Sequence, residues 1–284
     1  MAGTLYLVAT PIGNLEDMTY RAVRMMREAD MIAAEDTRNS IKLLNHFEIK
    51  TPMTSYHEYN KYDKAAYLVG KLLEGKNIVQ ITDAGTPGIS DPGEELVKEA
   101  LAAGIRVTAV PGACACITGL TISGLPTRRF AFEAFLPTDK KERRDIMAEL
   151  ATETRTMVIY EAPHRLKKTL AELSEGLGDR RISITRELTK KHEEIYQTTL
   201  SEAVRYYDEH EPRGEYVLVI EGVGRRELEK ERMQGFLSMT VEEHVDMYMH
   251  QGMEKKDAIK QTAIDRGVPK REIYNQIERS KGQI

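Results

Sequence analysis

The stretch Asn77-Ile-Val-Gln-Ile-Thr-Asp-Ala-Gly-Thr-Pro-Gly-Ile-Ser-Asp-Pro-Gly93 contains a short apolar strand that runs directly into a loop rich in glycine and proline. Glycine lets a backbone approach a ligand and adopt positive φ, and proline stiffens a turn. A strand-to-helix connection ordinarily needs only about 2–6 residues. The length and composition of this loop therefore favour a ligand-binding loop over an ordinary connection.

The polar side chains of this loop indicate the class of ligand. Asp83, Thr86, Ser90 and Asp91 supply carboxylates and hydroxyls, where a phosphate site would need bare amides and a lysine. No G-x-x-x-x-G-K-[ST] or G-x-G-x-x-G motif follows a predicted strand, so a nucleoside triphosphate site and a standard Rossmann dinucleotide site have no support. A cationic or zwitterionic small molecule fits these side chains better.

Strand and helix patterns alternate on both sides of this stretch, which is typical of an α/β protein. In the first half, the patterns predict strands at Thr4–Thr10, Met31–Asp36, Pro52–His57, Asn77–Asp83 and Arg106–Pro111, and helices at Thr19–Ala29, Asn39–Phe47, Tyr62–Glu74 and Asp91–Ala103. Three of these strands end in unusual turns, at residues 10–14, 83–93 and 110–113. Ligands of open α/β sheets bind at the carboxyl ends of the strands, so these turns predict one common site.

The second half has a different order of elements. Its patterns predict strands at Arg128–Phe135, Thr156–Ala162, Arg181–Leu188, Glu193–Leu200 and Gly214–Glu221, and helices at Lys140–Glu153 and Leu166–Gly178. The strands at Arg181–Leu188 and Glu193–Leu200 are close enough in sequence to be antiparallel, which predicts a mixed sheet. We therefore expect an α/β domain at residues 1–117, a second one with a mixed sheet at residues 118–223, and an extension at residues 224–284.

The extension begins with the charged run Gly224–Glu231, whose composition predicts a linker. Three short helical patterns follow, at Val241–His250, Glu254–Asp265 and Lys270–Arg279, and glycines separate them. Such a unit resembles a helix-turn-helix that contacts nucleic acid, but a small helical cap for packing or dimerisation explains it equally well.

Composition excludes several classes of protein. The chain has 284 residues, and 41 Lys and Arg against 45 Asp and Glu give a net charge of -4, which argues against a general polyanion binder. Cys114 and Cys116 are the only cysteines, and they are too close in sequence to bridge easily, so the pair suits a reducing cytoplasm. We expect no metal site and no membrane span, because there is no thiolate cluster and no apolar run near the roughly 18 residues that a span needs.

The most specific evidence is a series of motifs in a fixed order. They are Ala9-Thr-Pro-Ile-Gly-Asn-Leu15, Glu35-Asp-Thr-Arg38, Asp83 to Gly93, Val110-Pro-Gly112, Tyr160-Glu-Ala-Pro-His-Arg165, Arg186-Glu-Leu-Thr-Lys-Lys-His192 and Arg213-Gly-Glu215. Across residues 4–222 this series resembles the tetrapyrrole methylase superfamily, and within it the branch that methylates the 2′-hydroxyl of a cytidine in the decoding region of 16S rRNA.

The resemblance implies a class III methyltransferase fold, with S-adenosyl-L-methionine in a cleft between two α/β domains and a small helical extension. It also implies a cytoplasmic homodimer that acts on 16S rRNA within the 30S subunit, and no membrane partner. The chain departs from the tetrapyrrole-making members at Thr86, where those enzymes have an aspartate. This departure favours the rRNA branch.

Position by position, the resemblance also implies a set of cofactor-binding residues. The set is Pro11, Asp83, Gly85, Thr86, Pro87, Ser90, Ala113, Cys114, Ala115, Tyr160, Glu161, Gly214, Glu215, Tyr216 and Val217. The members from Asp83 to Ser90 are expected to surround the methionine and ribose portions, and the others to complete the walls of the cleft.

Methyl transfer to a ribose hydroxyl needs help from a neighbouring group, because the hydroxyl is a weak nucleophile near neutral pH. A base, or a cation that favours the alkoxide, would supply it. The candidates are Glu161, His164, Glu187 and Lys190, among which the sequence does not choose. His164 is also explained as a residue just inside a helix, and the two glutamates could instead pair with the arginines Arg165 and Arg186.

RNA contact would use the basic residues, since phosphate neutralisation by Lys and Arg supplies much of nucleic-acid affinity. The candidates are Arg38, Lys42, Arg128, Arg129, Lys140, Lys141, Arg143, Arg144, Arg165, Lys168 and Lys191. Many of them lie in a run of mixed charge, for which a solvated surface is the simpler explanation.

Two alternative functions stay open at the level of sequence. One keeps the cofactor and replaces RNA with a small tetrapyrrole, although the absence of Trp and the five Phe residues argue against a large apolar cleft. The other is a non-enzymatic RNA-binding protein that uses the helical extension. That alternative leaves the loop at residues 83–93 unexplained.

Overall fold

Five parallel strands form the first sheet of the computed structural model, which describes residues 1–281. They are β1 (Thr4–Val8), β2 (Met31–Ala34), β3 (Met53–Ser55), β4 (Ile78–Ile81) and β5 (Arg106–Val110), in the order β3-β2-β4-β1-β5. The helices between them are α1 (Tyr20–Glu28), α2 (Thr37–His46), α3 (Lys61–Leu73) and α4 (Gly93–Ala102). All strand pairs are parallel, so all carboxyl ends lie at one edge.

Helices cover both faces of this sheet. Leu68 of α3 and Leu96 of α4 pack with Leu5 in one apolar cluster. Met26 of α1 and Leu44 of α2 pack with other strand residues in a second cluster. Because both faces are covered, strands such as β4 are buried along their whole length rather than at alternate residues.

The second sheet is mixed, as the spacing of its strands predicts. It contains β6 (Phe130–Phe135), β7 (Thr156–Glu161), β8 (Arg181–Arg186), β9 (Glu194–Thr199) and β10 (Tyr216–Ile220), in the order β6-β7-β10-β8-β9. Only β6 and β7 pair in parallel, and the other pairs are antiparallel. Its helices are α5 (Ala115–Ile122), α6 (Lys140–Ala151), α7 (Pro163–Leu177) and α8 (Leu200–Glu209).

Strand β10 shows how this sheet divides two apolar clusters. Leu218 and Ile220 join the cluster that contains residues of α7 and α8. Val217 and Val219 face the opposite cluster, which contains Leu120 of α5. The alternation follows from the two-residue period of a strand. It places one face of β10 toward α5, next to the first sheet's strand-end turns.

Helices α5 and α8 were not apparent in the sequence patterns. The residues of α5 are small because the helix packs closely on β10, where a Cβ added at Gly119 would lie 3.0 Å from Val217 Cγ1. Helix α8 begins directly where β9 ends, which obscures the change of period. A domain boundary at residue 117 would fall inside α5, so the two-domain division of residues 1–223 stays a prediction.

The chain divides into two compact units, Met1–Gly222 and Val223–Ile284. The second unit contains α9 (Arg225–Ser238), α10 (Val241–His250), α11 (Lys255–Asp265) and α12 (Lys270–Lys281). The run Gly224–Glu231, which its charges predict to be a linker, therefore lies mostly in a helix. Its i,i+3 and i,i+4 neighbours include opposite charges, which favour a helix even without an apolar face.

The last three helices share a small core of their own. Val245 and Tyr248 of α10, Ile259 of α11 and Ile273 of α12 are buried together. A capping box between Thr240 and Glu243 fixes the start of α10. Within residues 1–281, no helix has both the length and the apolar character required to cross a membrane.

Candidate active site

A cavity of about 270 Å³ lies between the strand-end turns of the first sheet and the second sheet. We call its two sides the first wall and the second wall. The first wall contains Ile12, Glu35, Thr82, Ala84, Gly85, Thr86, Ile89, Ser90 and Asp91. The second wall contains Phe135, Tyr160, Glu161, Ala162, Leu188, Lys190, Glu215, Tyr216 and Val217, and Cys114 and Ala115 connect the walls.

The loop after β4 is held by its own backbone and one carboxylate. Gly85 and Gly88 have φ of 87° and 84°, and Ser90 has φ of 66° although it is not glycine. The carboxylate of Asp91 accepts hydrogen bonds from the amides of Gly88 at 2.8 Å and Gly93 at 2.7 Å. Burial raises the pKa of Asp91, while these amide bonds act in the opposite direction. The loop is thus fixed in a conformation that most residues disfavour.

The three unusual turns of the first half meet here, as predicted. Thr10 and Gly85 exchange two backbone hydrogen bonds of 2.9 and 3.1 Å, which join the turn after β1 to the loop after β4. The hydroxyl of Thr86 donates to the carbonyl of Ala113 at 3.0 Å and so joins the turn after β5. Their meeting follows from the parallel sheet, which brings the carboxyl ends of β1, β4 and β5 together.

Glu35 belongs to the cavity, whereas Asp83 faces away from it. The carboxylate of Glu35 accepts from the Thr82 hydroxyl at 2.5 Å and from the Asp83 amide at 3.3 Å. The carboxylate of Asp83 accepts from the amide of Asp36 and the side chain of Asn39, both at 3.1 Å. The site prediction omitted Glu35, although its place at the end of β2 was a usable signal.

Aromatic rings and thiols form one part of the second wall. The Tyr160 hydroxyl accepts from the Cys116 amide at 2.9 Å, and burial raises the pKa of Tyr160, so the phenol is neutral at physiological pH. Phe135 lines the cavity with half of its surface exposed. The Cys114 and Cys116 sulfurs are 3.5 Å apart, and the hydrogen bond between them lowers the pKa of Cys114.

Glu161 is a buried anchor rather than a free base. It is 1% exposed, and its carboxylate accepts from the Ala162 amide at 2.9 Å and the Thr169 hydroxyl at 2.5 Å. Arg165 completes the arrangement with an ion pair at 3.4 Å. The pairing of Glu161 with Arg165, one of the two explanations from sequence, is therefore present.

Lys190 is the cation of the cavity, and two carboxylates hold it. Its ammonium lies 2.8 Å from Glu187 Oε1 and 2.7 Å from Glu215 Oε2. Burial acts to lower the pKa of Lys190, but these hydrogen bonds outweigh burial and leave the pKa above its ordinary value. The bond from Lys190 in turn lowers the pKa of Glu187. Arg186 instead forms an ion pair with Glu194 at 3.1 Å, so Glu187 is paired with Lys190 and not with Arg186, the partner that the alternative explanation gave it.

Several other predicted residues lie beside the cavity or away from it. Pro11, Asp83, Pro87, Ala113 and Gly214 belong to the surrounding turns and do not line the cavity. His164 is exposed near the start of α7, also outside the lining. Among residues 1–281, no group of three or more His, Cys, Asp or Glu side chains is arranged to hold a metal ion.

Most of the predicted RNA-binding residues are exposed. They are Arg38, Lys42, Arg128, Arg129, Lys140, Lys141, Arg144, Lys168 and Lys191. Arg143 is different, because it is 8% exposed and its guanidinium bonds to Glu172 at 2.6 Å and to the Thr169 hydroxyl at 2.8 Å. Arg165 is also engaged internally. The prediction of an RNA-facing role was therefore wrong for Arg143 and is not supported for Arg165.

Comparisons with known proteins place the chain in a family. Residues 4–204 match the family described as Tetrapyrrole (Corrin/Porphyrin) Methylases. Ribosomal RNA small subunit methyltransferase I of Halalkalibacterium halodurans is 52% identical over 273 residues, which cover 96% of this chain and 94% of that protein. The protein of the same name from Bacillus subtilis is 48% identical and covers 96% of this chain and 93% of its own length.

Solved structures share the fold at lower identity. Uroporphyrin-III C-methyl transferase from Thermus thermophilus, complexed with S-adenyl homocysteine, has a TM-score of 0.54 and 22% identity, and the match covers 77% of this chain and 97% of that one. Diphthine synthase has a TM-score of 0.59 and 14% identity, with 77% and 89% covered. These likenesses concern the two-sheet architecture.

Proposed function

The chain belongs to the tetrapyrrole methylase family and, within it, to the ribosomal RNA small subunit methyltransferase I proteins, and we propose that it methylates the 2′-hydroxyl of a cytidine in the decoding region of 16S rRNA. S-adenosyl-L-methionine is the methyl donor. The observation that carries the proposal is the extent of the likeness, since relatives named ribosomal RNA small subunit methyltransferase I match 96% of the chain.

The chemistry of the first wall fits the donor. S-adenosyl-L-methionine presents a sulfonium, an ammonium and ribose hydroxyls, and the wall offers the carboxylates of Glu35 and Asp91 with the hydroxyls of Thr86 and Ser90. Gly85 has positive φ and lacks a side chain, so the backbone of the loop is accessible. We expect these residues to hold the amino-acid and ribose portions. A solved neighbour that shares the fold is complexed with S-adenyl homocysteine, which fits a donor of this class.

The second wall would act on the methyl acceptor, which is the ribose 2′-hydroxyl of the RNA. When bound, the donor supplies a methyl group that an acceptor oxygen can take by in-line displacement, and correct placement contributes much of the rate. Lys190 stays protonated because its pKa is raised. Its ammonium would stabilise the negative charge that develops as the hydroxyl loses its proton to water.

The carboxylates near Lys190 have other roles. Glu187 is a weak base because its pKa is lowered, and it orients the ammonium. Glu161 is enclosed by Arg165, Thr169 and the start of α7, so we assign it to holding the second wall in place. Among the four catalytic candidates, we therefore propose Lys190 as the group that acts on the reacting oxygen.

The substrate would be rRNA assembled in the 30S subunit, and the active form a homodimer in the bacterial cytoplasm. Helix α6 carries three exposed basic side chains that could contact RNA phosphates, those of Lys140, Lys141 and Arg144. A dimer would join two such modest patches into a longer one. A local patch of basic residues is compatible with a net charge of -4, because phosphate binding depends on where the positive charges lie and not on their sum over the chain.

Transfer of labelled methyl groups tests the function directly. Purified protein is incubated with radiolabelled S-adenosyl-L-methionine and 30S subunits, free 16S rRNA or a tetrapyrrole precursor, all from cells that lack the enzyme. We expect label in the 30S sample that survives alkaline hydrolysis in a resistant dinucleotide, because a 2′-O-methyl group blocks cleavage. Label only in the tetrapyrrole would overturn the rRNA assignment, and label in alkali-sensitive positions would overturn the ribose assignment.

A further inference from the structure

Phe135 is an exposed aromatic ring at the edge of the cavity. It is the last residue of β6, it lines the second wall, and 50% of its surface is exposed. A phenyl ring gains stability when it leaves water, so this exposure has a cost that packing against the rest of the chain does not remove. The position is therefore suited to an apolar or aromatic group of a ligand.

A β-bulge gives Phe135 its direction. Phe132 pairs with Val158, whereas Ala134 pairs with Ile159 and Phe135 with Tyr160, so one extra residue separates the first two pairs. In a regular strand, residues three apart point to opposite faces. The bulge brings Phe135 to the same face as Phe132, and both rings contact the Tyr160 ring.

The bulge also strains the backbone. Ala134 has φ of 50°, in the left-handed region that a residue with a Cβ disfavours. Bulges of this kind are common next to active sites, where they redirect a side chain. The strain at Ala134 is consistent with a functional requirement for the position of the next ring.

Neighbouring groups restrain the Phe135 ring on one side. The centroids of Phe135 and Tyr160 are 5.7 Å apart with an interplanar angle of 62°, and the Tyr160 hydroxyl is bonded to the Cys116 amide. Arg165 donates to the carbonyl of Leu136, which secures the chain just after the ring. Because the ring is already restrained before a ligand binds, it loses little conformational entropy when the ligand stacks on it.

The basic side chains that follow Phe135 in the chain indicate a ligand that carries phosphates as well as an aromatic part. Within the cavity itself, Lys190 is the basic lining residue, and Glu187 and Glu215 bind it. The chain continues from Phe135 into α6, whose first turns carry exposed Lys140, Lys141 and Arg144. Unpaired RNA combines flat bases that stack on aromatic side chains with phosphates that bind Lys and Arg.

We propose that Phe135 is the surface on which an unpaired nucleobase of the RNA stacks while the ribose hydroxyl is presented to the cavity. This inference rests on the proposed function and specifies how that site positions its substrate. Phe135 acts as a positioning residue for the acceptor. Stacking accepts any base, so the ring fixes the position of the nucleotide and does not select cytidine.

Four variants test the role of the ring. Phe135→Ala removes the ring, Phe135→Leu keeps an apolar side chain without a π-face, and Phe135→Tyr keeps the π-face. Ile195→Ala is the matched control, because Ile195 is 47% exposed on β9 and does not line the cavity. The measurements are KM and kcat for 30S subunits, RNA affinity by fluorescence anisotropy, and the Kd for S-adenosyl-L-methionine.

We expect Phe135→Ala and Phe135→Leu to raise the KM for RNA by about 5- to 150-fold, the range that corresponds to the loss of one stacked base. Phe135→Tyr and Ile195→Ala should retain wild-type values, and cofactor Kd should be unchanged in all four. An unchanged KM in Phe135→Ala, or full activity in Phe135→Leu, would overturn the proposal. Equal weakening of cofactor binding would reassign the ring to the cofactor.

The design also separates this inference from the proposed function. If the wild-type protein transfers no methyl group to RNA, the proposed function fails. The anisotropy measurement would still decide about Phe135, because loss of RNA affinity in Phe135→Ala but not in Phe135→Tyr supports stacking without any turnover. Equal RNA affinity in all variants would contradict it.

Discussion

The two walls of the cavity are built in different ways. The first wall depends on backbone conformation, with positive φ at Gly85, Gly88 and Ser90 and a carboxylate that binds loop amides. The second wall depends on individual side chains, above all Phe135, which follows the bulge in β6, and Lys190, which lies in the turn after β8. A change in the first wall therefore acts through the shape of the loop. A change in the second wall removes a specific chemical group.

The walls also differ in charge. The first wall presents the carboxylates of Glu35 and Asp91 and no cation, whereas the second wall combines Lys190 with the carboxylates of Glu161 and Glu215. The carboxylates of the first wall suit a cationic donor, and the ammonium of Lys190 suits an acceptor oxygen that develops negative charge. Two ligands of unlike chemistry can therefore share one cavity, because each wall carries side chains suited to one of them.

The largest expected effect concerns the anchor of the second wall. Glu161→Ala should lower the free energy of unfolding by about 3–5 kcal/mol, because it leaves Arg165 and Thr169 without their buried partner. Glu211→Ala is the control, since it removes only the exposed pair with Lys167 and should cost at most about 1 kcal/mol. Chemical denaturation measures both. Equal stability of the two variants would contradict the assigned role of Glu161.

The next effect concerns catalysis. Lys190→Met should reduce kcat by about 100- to 1,000-fold, the loss typical of one group that stabilises a developing oxyanion. Lys191→Met, which changes an exposed neighbour outside the cavity, should leave kcat unchanged. Single-turnover methyl transfer at saturating RNA measures the difference. A kcat that survives in Lys190→Met would show that the ammonium does not act on the reacting oxygen.

A glycine pair tests the backbone of the first wall. Gly88→Ala should destabilise the protein by about 1–2 kcal/mol, since φ is positive there. Gly70→Ala, in the middle of α3, should instead stabilise it by about 0.5–1 kcal/mol. At both positions an added Cβ would meet no described atom within 4 Å, so the pair isolates backbone strain from steric contact.

Thermal or chemical unfolding of the two glycine variants, together with cofactor Kd, completes this comparison. We expect weaker cofactor binding in Gly88→Ala alone, because only that residue belongs to the loop of the first wall. If both variants had the same stability and the same Kd, loop conformation would not be what defines the first wall.

The smallest effect separates two adjacent arginines of α6. Arg144→Ala should weaken RNA binding slightly and reduce the slope of log K against log salt by about 1, as expected for the loss of one phosphate contact. Arg143→Ala should leave the slope unchanged and lower stability by about 1.5–3 kcal/mol, because its hydrogen bonds are internal. The salt dependence of RNA affinity measures the first effect. Identical salt slopes for both variants would exclude a phosphate contact at Arg144.

The sequence predicted much of the first wall because its signals are local. The strand that ends near Asp83, the glycines of the loop and the turns after β1 and β5 are each visible within a few residues. Their meeting follows from the parallel sheet, whose carboxyl ends share one edge. The motif series then identified the family, and the match over residues 4–204 confirms that assignment.

Several residues of the second wall were also named from the motif series, but their pairing required the tertiary structure because the partners come from distant positions. Lys190 bonds to Glu215, which is 25 residues away, and no sequence pattern indicates that these two residues pair. Arg143 looked like its exposed neighbours in sequence, yet the packing of α6 on α7 buries it. The sequence by itself thus determined the fold class, the family and the backbone of the loop, since local conformational preferences encode them. Only the folded chain decided which charges are buried and paired, and that a bulge directs Phe135 into the cavity, because long-range packing sets both.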